Sequence, residues 1–316
     1  MAFHLRKRMI KLTRMSTILA PLWCIAFALV VPAVPLVSAY SNRALPQKSL
    51  SFEARTHTAV DNEGSKPNFS SVEDIQKDLA AVPCKGNSER LKAVQTLFEN
   101  LGAPSKDISI ERRNGVKNII VRKQGSSSEL IVIGAHYDKV NDGCGAIDNW
   151  TGIVTIAHIY KTLKDVELKK TVLFVGFGRE EEGLIGSREI VKAIDKSQLY
   201  QYCAMINIDS LGLGVPHVES SISSAKLLVR ASVLARQLQM PFHQSSILTI
   251  DSDSSSFLAR KLPAISILGL SSDWKRVLHT RNDQVATIDP INVFHGYRLA
   301  LALFGEVENS PCDAFR

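Results

Sequence analysis

The sequence predicts an α/β fold in which a mostly parallel sheet carries helices on both faces. Two observations favour it. From Leu130 onward, short apolar segments typical of buried strands alternate with longer helical segments, and this alternation is typical of parallel sheets. In addition, four apolar segments run directly into imidazole or carboxylate side chains, which is the layout of a site at the carboxyl ends of parallel strands.

The elements before Leu130 are predicted to cover the sheet and form its edge. A first helix, capped by Ser70 or Ser71, should end by Val82, because the following Pro83 disfavours helical geometry in the residue before it. A second helix is predicted over 89–101, where apolar residues recur with helical spacing.

Two short alternating segments, 108–112 and 117–122, predict a hairpin at a sheet edge. Strands are then predicted at the apolar segments that begin near residues 130, 171, 202 and 263. The helices that separate or follow these strands are expected at about 149–163, 187–194, 224–238, 254–261 and 290–304.

Charge and composition bound the function. The 316 residues, 45% of them hydrophobic, suffice for one catalytic domain with an N-terminal extension. The net charge of +7 comes mostly from residues 1–39, which hold five basic residues and no acid. Without those five, the rest of the chain has 33 basic and 31 acidic residues. It therefore has no excess of basic residues that would favour nucleic-acid binding.

Residues 1–39 have the plan of a signal peptide: a basic start, an apolar stretch over 15–37, and small residues at Val37-Ser38-Ala39. The apolar stretch is long, so an uncleaved signal anchor is the alternative. We therefore expect a secreted or periplasmic protein, bound to a membrane only if this segment is retained. Residues 40–68 are expected to be a flexible linker and 69–316 the catalytic domain.

Export permits disulfides. The body contains Cys84, Cys144, Cys203 and Cys312, which allow three pairings between which the sequence does not choose. Cys203 lies in an apolar strand and is predicted to be a buried thiol. Cys144 lies in the loop with the candidate metal ligands, so a thiolate ligand is an alternative there.

Five side chains at strand ends have the chemistry of ligands for two divalent metal ions: His136, Asp148, Glu181, Asp209 and His279. Three carboxylates and one hydroxide would balance the charge of two zinc ions, and such a site lowers the pKa of bound water. Zinc suits the mixed nitrogen and oxygen ligands, although cobalt or manganese could serve. The adjacent Glu180 is then available as a proton acceptor.

These residues stand in motifs that resemble one enzyme family, over about residues 70–310. The family is that of the co-catalytic zinc aminopeptidases of the bacterial leucyl aminopeptidase and aminopeptidase Y type, to which the glutaminyl cyclases are related. The motifs are His136-Tyr137-Asp138, Gly145-Ala146-Ile147-Asp148-Asn149-x-x-Gly152, Glu180-Glu181-x-Gly183-Leu184-x-Gly186-Ser187, Asp209 and His279-Thr280-x-x-Asp283.

The resemblance implies a three-layer sandwich around a mixed, mostly parallel sheet of about eight strands. It also implies two zinc ions per chain. Asp148 would bridge them, His136 and Asp209 would complete one metal site, and Glu181 and His279 the other.

The same resemblance implies roles for three neighbouring carboxylates. Glu180 would be the general base of a zinc-dependent exopeptidase, which hydrolyses the N-terminal peptide bond of peptides with a free N-terminus. Asp138 would orient His136, and Asp283 would do the same near His279.

The sequence also departs from the family pattern. Ser254 stands where the family often has His, and Leu278 precedes the last metal-binding His in place of Tyr or Ile, so substrate preference cannot be transferred. Asp253 is interpreted as a helix cap rather than a contact for a substrate amine. His158, in the middle of a helix, is interpreted as a packed or surface residue.

Two other functions remain open. A glutaminyl cyclase would use the same fold with one zinc ion, whereas the pair Glu180-Glu181 and the segment Asp148-Asn149-x-x-Gly152 favour the hydrolase. A non-catalytic peptide-binding or receptor domain would be expected to have lost ligands. The preferred N-terminal residue and the oligomeric state are not indicated.

Overall fold

An eight-stranded mixed sheet lies at the centre of the part of the chain that the structure describes, residues 66–246 and 250–316 of a computed structural model. The predicted signal segment and nearly all of the predicted linker lie outside these residues. The strands are β1 (Ile108–Arg113), β2 (Val116–Lys123), β3 (Leu130–His136), β4 (Thr171–Phe177), β5 (Tyr202–Asp209), β6 (His217–Glu219), β7 (His243–Ser245) and β8 (Ala264–Leu268).

The strand order is β1-β2-β4-β3-β5-β8-β6-β7. The central strands β4, β3, β5 and β8 are mutually parallel, so their carboxyl ends lie at one edge of the sheet. The predicted hairpin at the sheet edge is confirmed, because β1 and β2 pair antiparallel and β1 is outermost. β6 and β7, three residues each, were not predicted, since so short a segment shows no alternation.

Helices cover both faces of the sheet, as predicted. Among the described residues they are α1 (Val72–Leu79), α2 (Asn87–Asn100), α3 (Thr151–Leu163), α4 (Ile185–Ala193), α5 (Ala225–Gln237), α6 (Ser254–Ala259) and α7 (Pro290–Asn309). None of these helices is both long and apolar enough to cross a membrane.

Alternation along the central strands builds one apolar core on each face. Ile131 and Ile133 of β3 pack with the helices α1, α2, α3, α5 and α7. Val132, between them, faces the opposite side and packs with Val191 of α4 and Phe257 of α6. Successive side chains of a strand point to opposite faces, so strands buried on both faces read as continuous apolar runs.

Helix starts follow local capping chemistry. Ser71 accepts a hydrogen bond from the Asp74 backbone at 3.1 Å while Asp74 accepts one from the Ser71 backbone at 3.3 Å, so a capping box begins α1. The predicted start of α4 at Ser187 is two residues late, because α4 begins at Ile185 after Leu184 in the left-handed region (φ 60°). The Ser187 hydroxyl instead donates to the Leu184 carbonyl.

Two disulfides join distant parts of the chain: Cys84 with Cys144, and Cys203 with Cys312. The prediction that Cys203 is a free buried thiol is therefore wrong. Cys203 is fully buried in β5, but its partner comes from the C-terminal tail, 109 residues away. The alternative of Cys144 as a thiolate ligand is also excluded, because its sulfur is bonded to Cys84.

A buried histidine in β6, stacked on an exposed histidine in β7, is expected to make the fold sensitive to acid. His217 is 2% exposed and stacks on His243 with 4.6 Å between ring centroids. Burial and the neighbouring His243 lower the pKa of His217 from 6.5 to about 4. Glu219 and the Val215 carbonyl oppose this shift only in part.

The unfolding free energy should therefore fall as the pH drops from 6.5 toward 4. In that window the unfolded chain binds a proton that the native imidazole excludes, so the folded state loses up to about 3 kcal/mol relative to its stability above pH 6.5. Denaturant unfolding at several pH values should show a flatter dependence for His217→Gln. The His243→Gln variant should keep most of the wild-type slope, and equal slopes for all three proteins would contradict this origin of the acid sensitivity.

Candidate metal centre

The predicted ligands lie at the carboxyl edge of the parallel strands. His136 is the last residue of β3 and Asp209 the last of β5. Glu181 follows β4, and His279 lies in the long connection after β8. Asp148 lies in an irregular turn, residues 146–150, that leads into α3. Because β4, β3, β5 and β8 are parallel neighbours, their ends bring these side chains together.

Asp148 lies between the two histidines. Its Oδ1 is 3.0 Å from His136 Nε2, and its Oδ2 is 3.0 Å from His279 Nε2. Glu181 Oε2 is also 3.0 Å from His279 Nε2, and Asp209 Oδ1 is 3.6 Å from His136 Nε2. The structure therefore brings all five side chains together, with one carboxylate facing both imidazoles.

The four predicted ligands other than His279 are mostly inaccessible to solvent, whereas the His279 side chain is 55% exposed. His279 also has a left-handed backbone (φ 60°). A residue other than glycine in this region is strained, and such strain is concentrated at functional sites. The candidate centre is thus buried on the side of His136 and open on the side of His279.

The carboxylates shift the pKa values of both imidazoles. Hydrogen bonds with Asp148 and Glu181 raise the pKa of His279 from 6.5 to about 10. Burial opposes the protonation of His136, but Glu180 and the hydrogen-bonded carboxylates outweigh it and raise the pKa well above its usual value. Burial disfavours ionised Asp148, yet hydrogen bonds from both histidines hold its pKa below the usual range. The surrounding carboxylates therefore strongly favour positive charge at this position. Divalent cations could replace the two protons that His136 and His279 would otherwise bind.

The donor atoms fit divalent cations. Ligand atoms of His136, Asp148 and Glu181 lie within 4.8 Å of one another, as do those of His136, Glu180 and Asp209. Glu181 Oε1 is buried without a hydrogen-bond partner among the described residues. A buried polar atom normally has a partner, and a bound metal ion would supply one here. Glu180 and Glu181 each lie close enough to the other donor atoms to bind a metal ion. The assignment of Glu181 as ligand and Glu180 as base therefore remains a prediction.

Glu180 and Glu181 are positioned by Asp138. They lie in a turn rather than an extended segment, and their backbone N–H groups donate to Asp138 Oδ1 at 3.0 Å and Oδ2 at 3.2 Å. Asp138 Oδ1 is also 3.7 Å from His136 Nδ1, which lies closer, at 3.2 Å, to the Asp138 carbonyl oxygen. The carboxylate thus connects the end of β3 with the loop after β4.

Asp283 has a different contact from the one predicted. Its carboxylate accepts hydrogen bonds from the backbone of Ile147 at 2.6 Å and of Asp148 at 3.2 Å. These bonds fix the turn that carries Asp148. No hydrogen bond joins the Asp283 carboxylate to His279 in the described residues, so its predicted role beside that histidine has no structural counterpart.

Two polar side chains near the centre were missed in the sequence. The Ser252 hydroxyl donates to Asp209 Oδ2 at 2.6 Å and accepts from Asn207, so it orients a candidate ligand. Asn149 donates to the Ile208 carbonyl and accepts from the backbone of Ser210, which ties the Asp148 turn to β5. The serine-rich composition around residue 252 could have pointed to Ser252. The position of Asn149 directly after Asp148 could have pointed to Asn149.

The interpretation of Asp253 as a helix cap is wrong. Asp253 precedes α6, but its side chain makes no capping hydrogen bond. It is completely buried, and neither carboxylate oxygen has a partner at normal hydrogen-bond geometry in the described part of the chain, although the nearby Ser187 hydroxyl acts to lower its pKa. Burial raises its pKa to about 7, and neighbouring groups that affect it include His136 and Asp209. Asp253 is therefore a further carboxylate behind the centre.

The interpretation of His158 as a packed residue is confirmed. It is 1% exposed, and its ring nitrogens lie 2.7 Å from Ser70 Oγ and 3.1 Å from Asp78 Oδ2. The Ser70 backbone in turn donates to the hydroxyl of Tyr297. This network ties the first described segment to α3 and α7.

Comparison with known proteins places these residues in a family. The model of peptidase family M28 matches residues 118–304, more than half of the chain. Leucine aminopeptidase 2 of Trichophyton equinum is 28% identical over 202 residues, which are 60% of this chain and 38% of that protein. The chain thus spans about two fifths of the length of that relative.

Solved structures resemble the fold at low sequence identity. A glutaminyl cyclase from an Acidobacteriales bacterium has a TM-score of 0.66 at 16% identity, over 79% of this chain and 97% of that one. A zinc aminopeptidase from Bacillus subtilis has a TM-score of 0.56 at 22% identity, over 63% of this chain and 54% of that one. The likeness confirms the α/β sandwich fold.

Proposed function

The chain belongs to peptidase family M28, and from this we propose that it is a zinc-dependent aminopeptidase. It would hydrolyse the N-terminal peptide bond of peptides with a free α-amine. One observation carries the proposal: each carboxylate oxygen of Asp148 lies 3.0 Å from a different histidine. A carboxylate placed between two imidazoles in this way is suited to bridge two metal ions.

We propose two zinc ions per chain. His136 and Asp209 would hold one, Glu181 and His279 the other, with Asp148 shared. Zinc accepts this mixture of imidazole and carboxylate ligands. When bound, it would polarise the scissile carbonyl and lower the pKa of the attacking water.

Glu180 would be the general base that transfers a proton from the attacking water to the departing amine. Its side chain is 12% exposed, and Oε2 lies 3.9 Å from His136 Nε2. Burial, with nearby Asp253 and Asp209 adding to it, raises the pKa of Glu180 well above its ordinary value. A carboxylate with a raised pKa can take a proton from water and deliver it to the departing amine. Asp138, through the backbone of Glu180, would hold that carboxylate at the centre.

The substrate side of the site is also a proposal. The peptide would enter from the side of the exposed His279, where Leu278, Ile147 and the half-buried Trp274 belong to one apolar cluster. Export of the chain, proposed from residues 1–39, would give it extracellular or periplasmic peptides as substrates. The alternatives are a one-zinc cyclase and a peptide-binding domain without turnover.

Release of the first residue from matched peptides tests the function. Peptides with a free N-terminus should be cut from that end, whereas the same peptides with an acetylated N-terminus should not. A chelator should abolish release and added zinc should restore it. Cyclisation of an N-terminal glutamine without any hydrolysis would identify a cyclase instead, and saturable binding of peptides that are never cut would identify a receptor.

A further inference from the structure

Arg90 is a buried cation that the proposed reaction does not use. It lies in the first turn of α2 and has no exposed surface. Within the described residues no carboxylate lies at ion-pair distance from it. Its guanidinium carbon lies 5.7 Å from the centroid of the Trp150 ring. A buried charge is costly unless hydrogen bonds satisfy it, so the partners of Arg90 show what it does.

All the hydrogen bonds of Arg90 go to backbone carbonyls. Nε donates to the carbonyl of Tyr137. Nη1 donates to Cys144 at 2.9 Å and to Pro83 at 3.3 Å, and Nη2 donates to Gly145 at 3.0 Å. One planar group thus binds both ends of the segment 137–145, which we call the metal loop.

The metal loop separates two proposed ligands. His136 immediately precedes it, and Asp148 follows three residues after its end. A change in the distance between the two loop ends would move these side chains relative to each other. Small displacements matter in such sites, because a misplacement of about 1 Å can cost about 100-fold in rate.

Two further contacts hold the metal loop against the same part of the chain. Cys84 forms the disulfide with Cys144. Asn87, the first residue of α2, accepts a hydrogen bond from the Lys139 backbone at 3.1 Å. We call Cys84, Asn87 and Arg90 the loop bracket. Asp283 holds the turn that follows, through Ile147 and Asp148.

We propose that the loop bracket, with Arg90 as its central positioning residue, sets the separation of His136 and Asp148 and thereby the affinity of the centre for metal ions. The inference rests on the proposed function, because the separation matters only if these two side chains bind metal. Arginine suits the task, since its rigid planar fork presents donors in several fixed directions and so reaches carbonyls at both ends of the loop, whereas a lysine ammonium concentrates its donors at one point on a flexible stem.

The charge state of Arg90 is consistent with this role. Burial lowers its pKa from 12.5 to about 10, while the fields of Asp148 and Asp283 act in the opposite direction. The guanidinium therefore stays protonated at neutral pH, and its donors remain available to the carbonyls.

Zinc affinity tests the proposal in Arg90→Lys and Arg90→Met, with Lys92→Met as the control. Lys92 is an exposed cation on the same helix. Zinc affinity, from competition with a chromophoric chelator, should fall by about 10- to 100-fold in both Arg90 variants, in the range known for groups that orient metal ligands. The zinc-induced rise in Tm should shrink accordingly, and kcat should fall more than KM rises. The control should match the wild type.

A purely structural role for Arg90 would give a different result. The metal-free Tm would fall, but zinc affinity and kcat, measured well below that Tm, would equal the wild-type values. This outcome would overturn the proposal. A wild type that binds no zinc would contradict the proposed function instead, so the two failures are distinguishable.

The disulfide of the bracket provides a second variant if the Arg90 variants do not fold. The paired change Cys84→Ala and Cys144→Ala should lower zinc affinity. The paired change Cys203→Ala and Cys312→Ala removes a disulfide between β5 and the C-terminal tail and should lower Tm only. Equal zinc affinity in both double variants and the wild type would overturn the proposal.

Discussion

Glu180→Gln is expected to lose turnover while it keeps its metal. The substitution preserves the shape of the side chain but removes its capacity to accept a proton. General acid–base groups contribute about 10²- to 10⁴-fold, so kcat should fall by that factor. KM should change little, because the proposed ligands are intact. The readout is peptide hydrolysis, with zinc content measured on the same sample.

Glu182→Gln is the matched control for this variant. Glu182 lies two residues further along the same loop, is exposed, and forms an ion pair with Arg179 at 2.7 Å. Its substitution should leave kcat unchanged. If Glu180→Gln hydrolysed peptides at the wild-type rate, Glu180 would not be the base, and Asp253 would be the next carboxylate to test. If it lost zinc as well as turnover, Glu180 would be a ligand.

The convergence of the five side chains could be predicted because each belongs to a local pattern. An apolar run identifies a buried strand, and parallel strands end at one edge of the sheet. His136 and Asp209 terminate such runs. The order of the strands was not needed, since any order of parallel neighbours puts their carboxyl ends on the same edge.

The contacts that support the centre could not be predicted, because they join residues distant in sequence. Arg90 lies in a helix that the pattern described only as a cover for the sheet, yet it binds carbonyls 47 to 55 residues away. Cys203 was misjudged for the same reason. Asp253 was misjudged because a carboxylate before a helix suggests a cap, and only the tertiary structure places it in a buried site without a capping bond.

The two kinds of information are complementary at this centre. Local pattern identifies which side chains have ligand chemistry, whereas the long-range contacts of Asp138, Asp283 and Arg90 connect the segments that carry those side chains. Substitution of a predicted ligand should abolish metal binding, whereas substitution of a residue that only contacts the ligand-bearing segments should weaken it. Asp148 is expected to show the largest loss of metal.

Asp148→Asn is expected to have the largest effect on metal content. The amide keeps the size of the carboxylate but loses its negative charge and one of the two oxygen atoms that face His136 and His279. Zinc content should fall from two ions per chain to one or none, and kcat/KM should fall by more than about 100-fold, beyond the range for groups that only orient ligands. Elemental analysis of dialysed protein, with peptide hydrolysis on the same sample, measures both.

Asp142→Asn supplies the comparison, since Asp142 is an exposed carboxylate in the same metal loop and its loss should change neither quantity. The wild-type count is informative before any substitution is made. Two zinc ions per chain would favour the aminopeptidase, and one would favour the chemistry of a cyclase. If Asp148→Asn kept two zinc ions and full turnover, no shared carboxylate would be needed between the histidines, and the arrangement on which the proposed function depends would be wrong.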